Sequence, residues 1–346
     1  MKEGKKYFDY FPEKVKTSGI PGLAMNRPLA PEIVDGDVGL ELEIEGTGLP
    51  DAAFIKTKCP VTGGRWRATT DGSLRGEALE YLFSAPVKID SAEKLINDLF
   101  LKFNEVGANL TLSNRCSTHV HLNVSSWKIN KIISFFSLWA AVEPALIDWC
   151  GIERKSNHFC LSTKDTAATI EAWYAFMKND ASHTQFRDGL KYTALNPRHI
   201  FDFGSLEIRC GRGADNANDV INWTKFLWGF REKVNGIENP RDILELVSMD
   251  GAAKIIGDAA EIAGIPAFAE EIFRASKSID ERGRDSFREA QVLCYSFPWE
   301  DWLLEINKVY IENPFSKDLR PSFVGPSPML VRRAMRQEEI RRLALE

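Results

Sequence analysis

The sequence predicts an α+β fold: a largely antiparallel sheet, helices packed on its outer face, and a helical C-terminal region. Three observations carry this expectation. From about residue 37 to 125 the pattern is mostly strand-like, most clearly where glutamate alternates with aliphatic residues from Val38 to Gly46. Strand character returns at Lys191–Leu195 and Ser205–Cys210, after two segments that read as amphipathic helices. From about residue 217 the chain reads as helix after helix. The expected organisation is an irregular arm over 1–36, a sheet-bearing domain over 37–235 and a helical region over 236–346.

Taken in order, the arm carries Pro12, Pro21, Pro28 and Pro31 without any periodic pattern. Val38 to Gly46 then alternates glutamate with aliphatic residues. On a strand, Glu41, Glu43 and Glu45 share one face, and Leu40, Leu42 and Ile44 the other. Strands are expected near Gly64–Thr70 and Glu77–Ser84, with a turn at Asp71-Gly72-Ser73. A helix should run from Ser91, an N-cap candidate, to about Val106, with Leu95, Leu99 and Phe103 on one face. A strand near Cys116–Val124 precedes aromatic-rich helices at 127–150 and 166–179. In the C-terminal region, breaks fall at Asn239-Pro240, at Gly264-Ile265-Pro266 and between Pro314 and Pro328.

Composition narrows the function. The chain has 346 residues, 44% hydrophobic and 27% charged, as in globular proteins. A net charge of -5 provides no basic field for nucleic acid. Six scattered cysteines without a C-x-x-C pair argue against a zinc finger or disulfide framework, and fit reduced thiols in a cytosol. The charged N-terminus, Met1 to Lys6, is not followed by the apolar segment of a signal peptide. The most apolar stretch, Ile132 to Trp149, contains Glu143, Pro144 and Asp148, which argues against a membrane span. The expected location is therefore cytoplasmic, with neither nucleic acid nor membrane as partner.

Four polar groupings fall on the expected strands. In the first, neighbouring carboxylates among Glu41, Glu43 and Glu45 lie roughly 6–7 Å apart. Each adjacent pair repels by about 2–3 kcal/mol at an effective dielectric near 20. Either water screens that face or cations sit on it. In the second, the Asp-Gly turn leads to Glu77 and Glu80, which a regular strand puts on opposite faces. Glu80 lies deeper in apolar sequence, where a carboxylate needs a partner. The third is His119, His121 and Asn123 on one face, an arrangement suited to metal or phosphate, or to a hydrogen-bonded histidine pair. The fourth pairs Glu207 with Arg209, which is either a surface ion pair or a guanidinium poised for phosphate or carboxylate. Asn196 and Arg198 lie just upstream. Carboxylates with imidazole make an oxygen-rich site for Mg²⁺ or Mn²⁺. The chain has no G-x-x-x-x-G-K-[ST] loop to cradle phosphates.

Gly39 to Glu43, Asp71 to Leu74 with Glu77 and Glu80, Cys116 to His121 and Leu206 to Arg209 occur in an order that resembles the amidoligase family. That family lies in the carboxylate–amine ligase superfamily, with glutamine synthetase and glutamate–cysteine ligase. The resemblance covers about residues 38–212. It implies a glutamine-synthetase-like antiparallel sheet holding ATP and divalent metals. It also implies amide-bond formation between a carboxylate and an amine through an acyl phosphate. On the matched motifs, Glu41, Glu43, Glu80, Glu207 and His119 would be metal ligands, with Glu77 an alternative or additional one. His119 or His121 would meet metal or nucleotide phosphate. Arg209, with Glu41 and Glu207, would serve the chemistry. Asn196 and Arg198 are candidates for binding nucleotide or substrate by position.

Two other readings compete. One is a metal-dependent hydrolase using His119, His121 and the glutamates with a transition metal. The other is a non-catalytic binding or assembly protein, with Trp127, Trp139, Trp149, Trp173, Trp223 and Trp228 either core or partner surface. The amine, the carboxylate and the oligomeric state stay open.

Overall fold

The structure, a computed structural model, describes residues 30, 32–58, 65–155, 157–162, 191–237, 242–276 and 279. The strands are β1 (Val38–Thr47), β2 (Trp66–Thr69), β3 (Ala78–Phe83), β4 (Asn109–Thr111), β5 (Ser117–Asn123), β6 (Leu195–Asn196) and β7 (Ser205–Arg212). The helices are α1 (Ala52–Lys58), α2 (Ile89–Val106), α3 (Ile129–Cys150), α4 (Ile200–Phe203), α5 (Ala217–Asn235), α6 (Asp242–Ile262) and α7 (Pro266–Ala275). The strands form one sheet in the order β2-β3-β1-β5-β7-β6, and β4 pairs with the far end of β1. Every pairing between named strands is antiparallel.

The period-two alternation decides which face meets the helices. Val38, Leu40, Leu42 and Ile44 on β1, Val120 and Leu122 on β5, and Leu206 and Ile208 on β7 are all buried. Against them lie α3 and α5, whose Phe135, Trp139, Trp223 and Phe226 are fully buried. Helix α2 backs the β2–β3 side. There the Trp66 indole N–H donates to the Leu95 carbonyl at 3.0 Å, and Tyr81 packs edge-on against Phe103. Helices α6 and α7 add a further layer, α6 on α5 and α3, and α7 on α3. The described tryptophans among the candidate partner residues therefore go to the core: Trp127, Trp139, Trp149 and Trp223 are buried, and Trp228 packs against them partly buried.

Helix α3 is long and apolar enough over Lys131–Cys150 to cross a membrane, but 89% of that stretch is buried inside the fold. Its one buried carboxylate, Glu143, accepts from the Trp139 indole at 2.8 Å and from Ser162 Oγ at 2.7 Å. This is a core helix with its polar group satisfied.

Local expectations shift in two places. Helix α2 starts at Ile89 rather than at Ser91, because Asp37, from the chain entering β1, accepts the Ile89 N–H at 3.0 Å. A cap supplied from a distant segment leaves no local signature. The strand expected at Lys191–Leu195 is confined to Leu195–Asn196, with Thr193 only bridging to Leu161. Helices α6 and α7 occupy 242–275, and the break between them falls at Gly264, with Pro266 opening α7, where the Gly264-Ile265-Pro266 break was expected. The expected helix at 166–179, Trp173, the break at Asn239-Pro240 and the segment beyond Pro314 lie outside the described residues, as does most of the arm.

Candidate active site

Register turns the separate motifs into one surface. Glu41 on β1 faces His119 on β5, and Gly39 faces His121. His121 in turn faces Glu207 on β7, which faces Asn196 on β6. One step along β1, Glu43 lies between Ser117 on β5 and Glu80 on β3. A bulge between Thr118 and Val120 sets Arg209 and Cys210 against His119. Arg209 thereby stays on the polar side while Cys210 is buried in the core.

The side chains interlock. Glu41 Oε2 lies 3.3 Å from His119 Nδ1, and Glu41 Oε1 lies 3.1 Å from His121 Nε2. The other His121 nitrogen pairs with Ser205 Oγ at 3.1 Å. Ser117 Oγ donates to Glu43 and lies 2.7 Å from His119 Nε2. Glu207 is fully buried and surrounded. Arg209 ion-pairs with one of its oxygens, while Asn196 Nδ2 donates to the other at 2.6 Å and His199 Nε2 lies 3.4 Å away.

Burial works against ionising Glu41, but hydrogen bonds and charge from His119 and His121 prevail and hold its pKa well below the carboxylate range. Burial likewise opposes ionising Glu207, and His199, Arg209 and the other two histidines overcome it, leaving a pKa of about 2. His121 is pushed the other way by burial, yet Glu41 and Glu207 raise its pKa overall. Among the described residues no cation lowers the pKa of Glu80. Burial, then the charges of Glu41, Glu43, Asp71 and Glu207, push it up to about 7.

Two sets of donor atoms could each hold a cation: Glu41, His121 and Glu207, and Glu43, Asp71 and Glu80, with the atoms of each set within 4.8 Å of one another. The donors are five carboxylates and one imidazole, a fit to a hard divalent ion such as Mg²⁺ or Mn²⁺. Asp71 reaches its set from the loop between β2 and β3. That loop is pinned by Glu45, whose Oε1 accepts the Arg75 N–H at 2.8 Å, and by Arg115, which donates to the Ser73 carbonyl at 2.9 Å. Glu45 thus has a task on the loop rather than in either set.

Two cavities open from this face and meet at Glu41. One, of about 320 Å³, is mainly apolar, with Leu40, Leu82, Phe83, Pro86 and Phe203 in its wall beside Gly39 and His121. Gly39 belongs to the glutamate face, and a Cβ there would come within 3.2 Å of His121 Cβ, so glycine keeps this end open. The other, of about 340 Å³, is polar and holds Glu43, Asp71, Glu80, Ser117, His119 and Arg209.

Among the residues expected from sequence, Glu41, Glu43, Glu80, His119, His121, Glu207 and Arg209 come together on this face. Both histidines face it. Glu80 is the member of its pair that does so, because its register partner is Glu43. Glu77 precedes β3, is exposed and belongs to neither cation set. Asn196 is spent on Glu207. Arg198 lines neither cavity, and its backbone N–H donates to Asn196 Oδ1 at 2.9 Å. Sequence reasoning missed Asp71, Ser117, Arg154 and His199 as site residues. Asp71 and Ser117 stood inside quoted motifs, whereas nothing local marked Arg154 or His199.

The profile of the family described as "Putative amidoligase enzyme" matches residues 36–230. That is more than half of the chain, and the protein belongs to this family. Membership supports a ligase of the amidoligase type. No curated protein matches the chain.

Proposed function

We propose that the protein is an ATP-dependent carboxylate–amine ligase that forms an amide bond through an acyl phosphate. One observation carries the reading: two oxygen-rich donor sets lie side by side on one sheet face, with Arg209 beside them. Burial and, after it, the neighbouring carboxylates raise the Glu80 pKa, and a cation bound there would offset both. Mg²⁺ or Mn²⁺ bound there would neutralise the triphosphate and polarise the phosphoryl group in transfer.

The remaining work falls to the chain. The apolar cavity beside Gly39 and His121 suits a nucleobase, which puts the triphosphate along Glu41 toward the polar cavity. Ser205 and Glu41 fix the His121 ring between them. Glu207 holds Arg209 at the polar cavity, where its guanidinium can meet charge developing on the transferred phosphoryl group. A substrate carboxylate oxygen attacks the γ-phosphorus and ADP leaves. The amine then attacks the acyl carbon and phosphate leaves as the amide forms. The amine and carboxylate are small molecules, peptides or protein side chains.

The test is ADP release from the purified chain with Mg²⁺ and paired panels of amines and acids. Turnover should require both partners and the metal, and Glu43→Ala should abolish it. Failure to bind either ATP or Mg²⁺ at millimolar concentration overturns the reading.

A further inference from the structure

The ligase chemistry leaves Ser117 without a task, and His119 belongs to neither cation set. Both stand on β5, and β1 sets Glu43 opposite the first and Glu41 opposite the second. Alternate residues of a strand share a face, so the four side chains form a compact square. All four line the polar cavity. Ser117 Oγ lies 2.7 Å from His119 Nε2, while His119 Nδ1 lies 3.3 Å from Glu41 Oε2 and 3.6 Å from Glu207 Oε1. Carboxylates on the Nδ1 side act as acceptors, which places the ring proton on Nδ1. In the neutral ring the Nε2 lone pair then faces the Ser117 hydroxyl. That hydroxyl has one proton and two acceptors, Glu43 and His119 Nε2, and can turn between them about its Cβ–Oγ bond. Hydroxyl, imidazole and carboxylate in this order are the arrangement that activates a serine for acyl transfer, and it is recognised by geometry rather than by order in the chain.

We propose that Ser117 is a nucleophile and His119 its general base, giving the polar cavity a second activity: hydrolysis of small carboxylic esters through an acyl-serine, without ATP or metal. Ser117 Oγ attacks the ester carbonyl carbon as its proton passes to His119 Nε2. The bond from that carbon to the alcohol oxygen then breaks, and the alcohol leaves with the proton from Nε2. Water attacks the acyl carbon and gives a proton to Nε2. The bond to Ser117 Oγ breaks, Oγ recovers that proton and the acid leaves. The net change is ester and water to acid and alcohol. Glu41 positions the imidazole ring and fixes its tautomer. Arg209 lines the same cavity and supplies positive charge for the oxyanion. A volume of about 340 Å³ admits a short acyl group and leaves little room for a long one. None of these steps draws on ATP or a metal, so the activity is independent of the ligase reading.

The experiment is treatment of the full chain, in EDTA and without nucleotide, with a small alkyl fluorophosphonate, which reacts with activated serines. Tandem mass spectrometry then locates the adduct. It should lie on Ser117 and be absent from urea-unfolded protein. His119→Gln should slow its formation by about a hundredfold or more, the usual contribution of a general base. Glu41→Ala should slow it too, and Glu41→Gln, which keeps an acceptor for the Nδ1–H, should restore part of the rate. Turnover of p-nitrophenyl acetate should follow the same order and disappear in Ser117→Ala. The wild-type adduct needs no variant, so it decides the matter even where Ser117→Ala does not fold. No adduct on Ser117 overturns the proposal, as does an adduct formed equally fast in His119→Gln, or ester turnover that survives in folded Ser117→Ala. ADP release and ATP binding are measured separately, and their failure beside a Ser117 adduct counts against the ligase reading alone.

Discussion

Glu80→Gln probes the electrostatics of the site directly. In the folded protein, burial and the neighbouring carboxylates lift Glu80 from an ordinary 4.5 to about 7. The folded state therefore keeps a proton that the unfolded chain has already lost. The favourable contribution is complete below about pH 4.5 and disappears as pH rises through 7. The difference between the two values corresponds to roughly 3 kcal/mol. Solvent reaching this half-buried group reduces it to about 1–2 kcal/mol. For a domain of this size, that is roughly 2–6 °C in Tm. Differential scanning fluorimetry of the metal-free protein should show wild-type Tm falling between pH 5.5 and 8 by about that amount, on the order of the linkage above. Glu80→Gln, which cannot ionise, should lack this component and be the more stable at pH 8. Saturating Mg²⁺ should lift wild type at pH 8 and help the variant much less, since the variant offers one ligand charge fewer. If wild type and Glu80→Gln show parallel pH profiles, or gain equally from Mg²⁺, the carboxylates are screened by water and the cation set is not real.

Other perturbations separate the parts of the site. Asn196→Ala removes the donor to buried Glu207 Oε2 and should cost about 1–3 kcal/mol, read as a lower midpoint in urea unfolding. Glu45→Ala should loosen the Asp71 loop and weaken Mg²⁺ binding by calorimetry, whereas Glu45→Gln, which keeps an acceptor for the Arg75 N–H, should retain most of it. Gly39→Ala should weaken binding of an ATP analogue by crowding the apolar cavity near His121, with Tm changing little. Unchanged nucleotide affinity in that variant would move the nucleobase elsewhere.

Much of the sheet was legible in the sequence because a strand's side-chain period is fixed by its backbone. Glu41 with Glu43, His119 with His121, and Glu207 with Arg209 each had to share a face once their segments were strands. The aliphatic residues between them had to form the core side, and the structure buries them there. Antiparallel strands followed by helices were likewise readable from the change of period.

Which strand lies beside which was not readable, since pairing depends on contacts between segments far apart in the chain. Register alone put Glu80 rather than Glu77 against Glu43, and His121 against Glu207. Asp71 comes from a loop whose course depends on Glu45 and Arg115, and Asp37 caps a helix from another strand's approach. Arg154 and His199 reach the site from turns that carry no period at all. The sequence by itself determined the faces and the kinds of side chain they carry. Tertiary structure decided their neighbours, because only folding brings charges from distant segments within the few ångströms at which they act on one another.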